Sequence, residues 1–141
     1  MEHVQVSVST AGELGQAEVV ELYGSVGWTA YTEAPKVLMR SLAGSHRMVA
    51  ARRDGRLVGL ARSISDGATV VYLQDVLVHP REQRGGLGGR LLTELFAAYG
   101  AVRQRVVLTD GDTRQRAFYE SLGFVEAHDH EPPLRSFVRF R

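Results

Sequence analysis

Residues 70–92 read VVYLQDVLVHPREQRGGLGGRLL: an apolar, β-branched run that stops at His79-Pro80, a polar glycine-rich turn, and an amphipathic helix opening near Gly86. A central strand that feeds a helix in this way asks for an α/β arrangement. If the helix crosses back over the sheet, the apolar run at 105–109 lies parallel to the central strand. The turn also has a chemical character. Gly85, Gly86, Gly88 and Gly89 have no side chains to screen their backbone N–H groups, and a helix N-terminus adds partial positive charge, so the turn suits an anion of diphosphate size.

Two nucleotide-binding readings of this turn fail on residue type. From Gly86 the sequence runs Gly-Leu-Gly-Gly-Arg-Leu, which puts Leu91 where a dinucleotide fingerprint needs a third small residue. The Lys-Ser/Thr that closes a Walker loop is also missing.

The rest of the chain gives the frame. Residues 3–8 alternate apolar and polar positions as a half-buried first strand, and Thr10 can cap the helix expected over 12–23. An aromatic loop with Trp28, Tyr31 and Glu33 leads to a second helix starting at Pro35. Residues 46–53 and 56–64 flank Asp54-Gly55 as a hairpin, and Ser65-Asp66-Gly67 turns the chain into the central strand, giving an antiparallel meander of three strands. After the crossover helix and the strand at 105–109, Asp110 to Thr113 form a polar turn and helix cap. The helix beyond it ends at Gly123. Short strands are expected at 124–128 and 136–140, separated by Pro132-Pro133.

Composition narrows the classes. A chain of 141 residues with 44% hydrophobic content is the size of one domain, so residues 1–141 are read as a single unit. The net charge of +1 and the absence of a basic run argue against nucleic acid as a partner. Without cysteine there is no disulfide, thiolate metal site or cysteine nucleophile. The start, MEHVQVSVST, is short and acidic at Glu2, unlike a leader peptide, and no apolar run is long enough to span a membrane. A cytoplasmic protein is the expectation.

Gln83-Arg84-Gly85-Gly86-Leu87-Gly88 fits the pattern Gln/Arg-x-x-Gly-x-Gly/Ala, and Phe118-Tyr119-Glu120-Ser121-Leu122-Gly123-Phe124 is an aromatic helix ending in Gly-Phe. Together, and in this order of elements, they resemble the GCN5-related N-acetyltransferase family. The resemblance implies a single-domain α/β fold with a mixed, mostly antiparallel sheet splayed between its fourth and fifth strands and helices on both faces. It implies acetyl-CoA as co-substrate, with its pantetheine arm on the backbone of Val76, Leu77 and Val78 and its diphosphate on the amides of Arg84, Gly85, Gly86, Leu87, Gly88 and Gly89, Arg84 and Arg90 assisting. Tyr119 matches the tyrosine that protonates the departing thiolate, although the same residue can simply pack on Phe118. Asp112 stands where relatives carry an asparagine on the pantetheine arm, and it also suits a helix cap.

The acceptor implied is a primary amine of a small molecule or peptide, taken up without a covalent enzyme intermediate. Trp28, Tyr31, Glu33, Gln74 and Asp75 are the candidate acceptor wall. Asp75 is an unexpected charge in an apolar strand: facing the splay it can bind the amine or relay its proton, and facing outward it is a solvated carboxylate. Strand alternation groups it with Leu73 and Leu77, unless a bulge shifts the register. Glu33 is a second carboxylate candidate or a helix-start charge. His79 reads as structural at the strand end, and His128 and His130 as a surface loop with no metal. Family analogy also admits a homodimer through the C-terminal strands. The rival readings are a module that binds acyl-CoA without catalysis and an acetyltransferase directed at tRNA or protein.

Overall fold

The structure is a computed structural model and describes residues 3–141; Glu2, with the acidic start noted above, lies outside the described residues. Two compact units are present, Met1–Leu108 and Thr109–Arg141.

The first unit holds a five-stranded sheet in the order β1(Val4–Ser9), β2(Arg47–Arg53), β3(Arg56–Ser65), β4(Val70–Val78) and β5(Gln104–Val107). β1 to β4 are antiparallel neighbours, while β5 runs parallel to β4. Helices α1(Gln16–Ser25), α2(Thr29–Thr32) and α3(Pro35–Ala43) lie between β1 and β2 in the chain, and α4(Leu87–Phe96) links β4 to β5. The expected helix at 12–23 therefore starts later. A single 3₁₀ turn, Ala11–Glu13, comes first, held by the Glu13 carboxylate on the Thr10 amide at 3.1 Å and hydroxyl at 2.9 Å. The aromatic loop contains one extra helical turn, α2.

Helices cover both faces because the sheet is apolar on both. Met48, Ala50, Leu60 and Leu77 form one cluster with Leu22, Tyr23, Leu38 and Leu42 of α1 and α3. On β3 the neighbour of Leu60 is Gly59, which points the other way. A Cβ there would sit 3.1 Å from Leu91 Cδ1, so α4 lies directly on the backbone of β3. Leu91, Leu92 and Leu95 of that helix are all buried, each contributing about 1.5–3 kcal/mol.

The register of β4 departs from simple alternation. Leu60, Ala61 and Arg62 face Leu77, Val76 and Asp75, but Ser63 faces Leu73, which leaves Gln74 as an extra residue in a bulge. β5 pairs with β4 only from Val70 to Leu73. From the bulge onward β4 therefore keeps β3 on one edge and has no β5 partner on the other, which is the splay expected between the fourth and fifth strands.

In the second unit Asp112 caps α5(Thr113–Ser121), accepting a hydrogen bond from the Arg114 amide at 2.8 Å. Gly123, at φ 91°, ends the helix, and the Phe124 amide turns back to the Tyr119 carbonyl at 3.1 Å. The strands expected at 124–128 and 136–140 are not formed among the described residues. Residues 127–129 wind into a 3₁₀ turn instead, which takes the end of the first segment out of extended geometry. The backbone link that does form joins the Leu134 amide to the Ala127 carbonyl at 2.9 Å. No helix among the described residues is long and apolar enough to cross a membrane.

Candidate active site

β4 is followed by His79, whose amide donates to the Val58 carbonyl at 2.8 Å and whose Nδ1 accepts from the Arg81 amide at 3.2 Å. His79 is thus a capping residue for the 3₁₀ turn Pro80–Glu82. Gln83 reaches back through Nε2 to the Val78 carbonyl at 2.9 Å. Beyond it the chain enters the left-handed region twice, at Arg84 (φ 71°) and Gly86 (φ 80°). Gly86 tolerates this without penalty, whereas for Arg84 it costs about 1–2 kcal/mol.

This path delivers α4 with its N-terminus bare. Gly86 supplies no capping side chain, and the first intrahelical bond runs from the Arg90 amide to the Gly86 carbonyl at 3.1 Å. The amides of Leu87, Gly88 and Gly89 precede the first possible i−4 acceptor and have none among the described residues. With Gly85, Gly86 and Gly88 contributing no Cβ, this row of donors fits a diphosphate, as the sequence leads one to expect. Arg84 is exposed beside it. Arg90 instead donates to the Val4 carbonyl at 3.0 Å.

The acceptor-side candidates divide. Asp75 is 3% exposed, and its carboxylate faces neither solvent nor an open edge. Oδ2 accepts from Arg62 Nε at 2.6 Å and from the Tyr23 hydroxyl at 2.9 Å, and Oδ1 accepts from the Tyr31 hydroxyl at 3.2 Å. Arg62, itself 4% exposed, also reaches the Ser45 hydroxyl at 3.2 Å and the Ser41 carbonyl at 3.3 Å. Burial first, and then the Asp75 charge, push the Tyr23 hydroxyl far above the ordinary tyrosine range. Gln74 joins through the bulge, its Nε2 donating to the Tyr31 hydroxyl at 3.3 Å. Adjacent residues that alternation would place on opposite faces therefore meet at one tyrosine.

Tyr31 is also packed between Trp28, with ring centroids 5.9 Å apart, and Tyr23 at 5.2 Å. Trp28, Tyr31, Gln74 and Asp75 are brought together. Glu33 is exposed at the end of α2 and takes no part in the network. Sequence reasoning missed Arg62 and Tyr23.

In the second unit Tyr119 is 7% exposed, its ring set edge-on to Phe118 at 5.0 Å and Phe124 at 5.8 Å. Burial, and secondarily the Asp110 charge, push its hydroxyl up to about 12. That hydroxyl makes no hydrogen bond among the described residues, so its proton is uncommitted. Asp112 is occupied as a cap, and its hydrogen bonds from Arg114 hold its carboxyl below the usual range. Glu126, His128 and Asp129 present ligand atoms within 4.8 Å of one another. Arg116 also pairs with Glu126 at 3.6 Å and Asp129 at 3.5 Å.

These features have parallels in known proteins. The acetyltransferase (GNAT) domain family matches residues 44–126. A curated relative from Pyropia yezoensis, named an uncharacterized N-acetyltransferase, is 24% identical over 92% of this chain and 75% of its own length. Other curated relatives are longer, and the chain spans 54–56% of two of them. Among solved structures, a GNAT-family acetyltransferase from Streptococcus pneumoniae superposes with a TM-score of 0.83 at 26% identity, covering 99% of this chain and 98% of that one. An aminoglycoside N-acetyltransferase solved with a CoA-containing bisubstrate analogue shares the fold, with a TM-score of 0.73 at 18% identity over 99% of both chains. With the family match spanning the strand, the bare helix terminus and the aromatic helix, the chain belongs to the GNAT acetyltransferase family.

Proposed function

We propose that residues 1–141 act as one acetyltransferase domain that takes acetyl-CoA as donor and transfers the acetyl group directly to a primary amine of a small molecule or peptide. The observation that carries this reading is the continuity between an unpartnered strand edge at residues 74–78 and a bare row of helix-terminal amides. A strand edge suits the amide-bearing pantetheine arm, on Val76, Leu77 and Val78. The amides of residues 84–89 suit the diphosphate. CoA-bound solved neighbours of the same fold support the choice of ligand.

In this reading a β4 amide polarises the thioester carbonyl and Tyr119 gives a hydrogen bond, and finally a proton, to the sulfur that leaves. Asp112 adjoins the cofactor arm only if it gives up part of its cap. Trp28, Tyr31 and Gln74 form the acceptor wall, with Glu33 at its rim. The amine proton goes to an ordered water. The Asp75 carboxylate is committed to Arg62, Tyr23 and Tyr31, so Asp75 serves by holding Tyr31, which in turn accepts from Gln74.

Free-thiol release from acetyl-CoA, measured over a panel of small amines, amino acids, aminoglycosides and peptide N-termini, tests the activity. Thiol release that requires one of the amines is expected. CoA binding with silence across the panel would leave the rival reading, a module that binds CoA without turnover.

A further inference from the structure

Resting on the reading of residues 84–89 as the diphosphate site, we propose that Arg53 and Glu82 are positioning residues that set the shape of that turn and so the affinity for the diphosphate half of the donor. Arg53 is the last residue of β2, far from the turn in sequence. Its Nε meets Glu82 Oε1 at 2.7 Å and its terminal nitrogen meets Oε2 at 2.8 Å, a bidentate fork. The Glu82 side chain is only 15% exposed, and Arg53 holds its carboxyl below the usual range. Most surface ion pairs contribute little, but a two-bond fork on a mostly covered carboxylate is the exception.

The position of this fork gives it a function. Glu82 closes the 3₁₀ turn, donating its amide to the His79 carbonyl at 2.8 Å, and the next anchored group is the Gln83 side chain on Val78. At Arg84 and Gly85 the path is held by no backbone bond among the described residues, and Arg84 and Gly86 sit at positive φ. Arg53, Glu82, Gly85 and Leu87 line one shallow depression, so the fork adjoins the donor row itself. The same pairing cancels a carboxylate charge that would otherwise repel a diphosphate. Its loss unpins a strained turn and exposes that charge, and both effects weaken anion binding.

The test uses the full chain and two probes, CoA and S-acetylpantetheine, which lacks every phosphate, with dissociation constants read from backbone amide NMR shifts. Arg53→Met, which both unpins the turn and leaves the Glu82 charge unpaired, should weaken CoA binding about tenfold, the equivalent of one charge-assisted hydrogen bond, and Glu82→Gln, which unpins the turn without leaving a carboxylate, should weaken it about threefold. Acetylpantetheine binding should stay within about twofold, and Arg53→Lys should recover part of the loss, because an ammonium keeps the charge but not the fork. Equal weakening of both probes, or unchanged CoA binding in both variants, overturns the proposal. If the unaltered protein binds acetylpantetheine but gains nothing from the phosphates of CoA, the reading of the turn falls first and this proposal with it.

Discussion

Arg62→Met should destabilise the fold by about 3–5 kcal/mol, because it strands the Asp75 carboxylate in the core without its counter-charge. Asp75 and Arg62 are 3% and 4% exposed and meet at 2.6 Å, so neither charge can recover water when the other is removed. The double variant Arg62→Met, Asp75→Asn keeps one of the two acceptor oxygens that the Tyr23 and Tyr31 hydroxyls use and removes the orphaned charge. It should recover roughly 1–3 kcal/mol relative to the sum of the single losses, within the range of measured coupling between touching groups. Urea unfolding of the two single variants and the double one provides the cycle. Additive losses would mean that the two groups are not energetically paired.

Tyr119→Phe should lower kcat about 10²-fold, the lower end of what a positioned acid contributes, with acetyl-CoA binding within about twofold of the unaltered protein. The lower end is expected because the hydroxyl, pushed up to about 12, is a weaker acid than a CoA thiol of pKa about 8.5. Most of its benefit is then a hydrogen bond to charge growing on sulfur. A raised phenol pKa keeps the acid form present through neutral and mildly alkaline pH, so this group should cause no fall in kcat until the pH nears about 12. A kcat–pH profile for both proteins measures it. Unchanged kcat in the phenylalanine variant, with donor binding intact, would remove Tyr119 from the chemistry.

Much of this arrangement is legible in the sequence for local reasons. Glycine at 85, 86, 88 and 89, a β-branched run before them and an apolar stripe after them leave few alternatives to strand, bare turn and helix. The meander follows from Asp54-Gly55 and Ser65-Asp66-Gly67, turn residues between short apolar runs. The C-terminal strands fail for a reason local patterning underweights: the end of the first segment closes into a 3₁₀ turn at 127–129 and is no longer extended for pairing.

The direction of Asp75 depended on a bulge, which is a property of two strands together and not of either alone. A usable signal was nonetheless present. Arg62 is a lone cation in an apolar run just as Asp75 is a lone anion, and in an antiparallel meander the two runs are neighbours, so opposite lone charges invite a buried pair. Tyr23 looked like one more apolar position of α1, because nothing local distinguishes a core phenol that donates a hydrogen bond from one that merely packs. The fork between Arg53 and Glu82 is likewise a tertiary fact, joining a hairpin end to a turn 29 positions later in the chain.

Backbone hydrogen exchange with and without CoA bears most directly on the reading of the β4 edge and the α4 terminus as one donor-binding surface. Saturating CoA at about 100 times its Kd should stabilise the protein globally by about 2.7 kcal/mol, and local slowing should appear beyond that. The account predicts added protection at amides within residues 76–78 and at Leu87, Gly88 and Gly89, with none there from NAD or ATP at the same concentration. Exchange at both segments unaltered by CoA, or slowed equally by NAD or ATP, would contradict it.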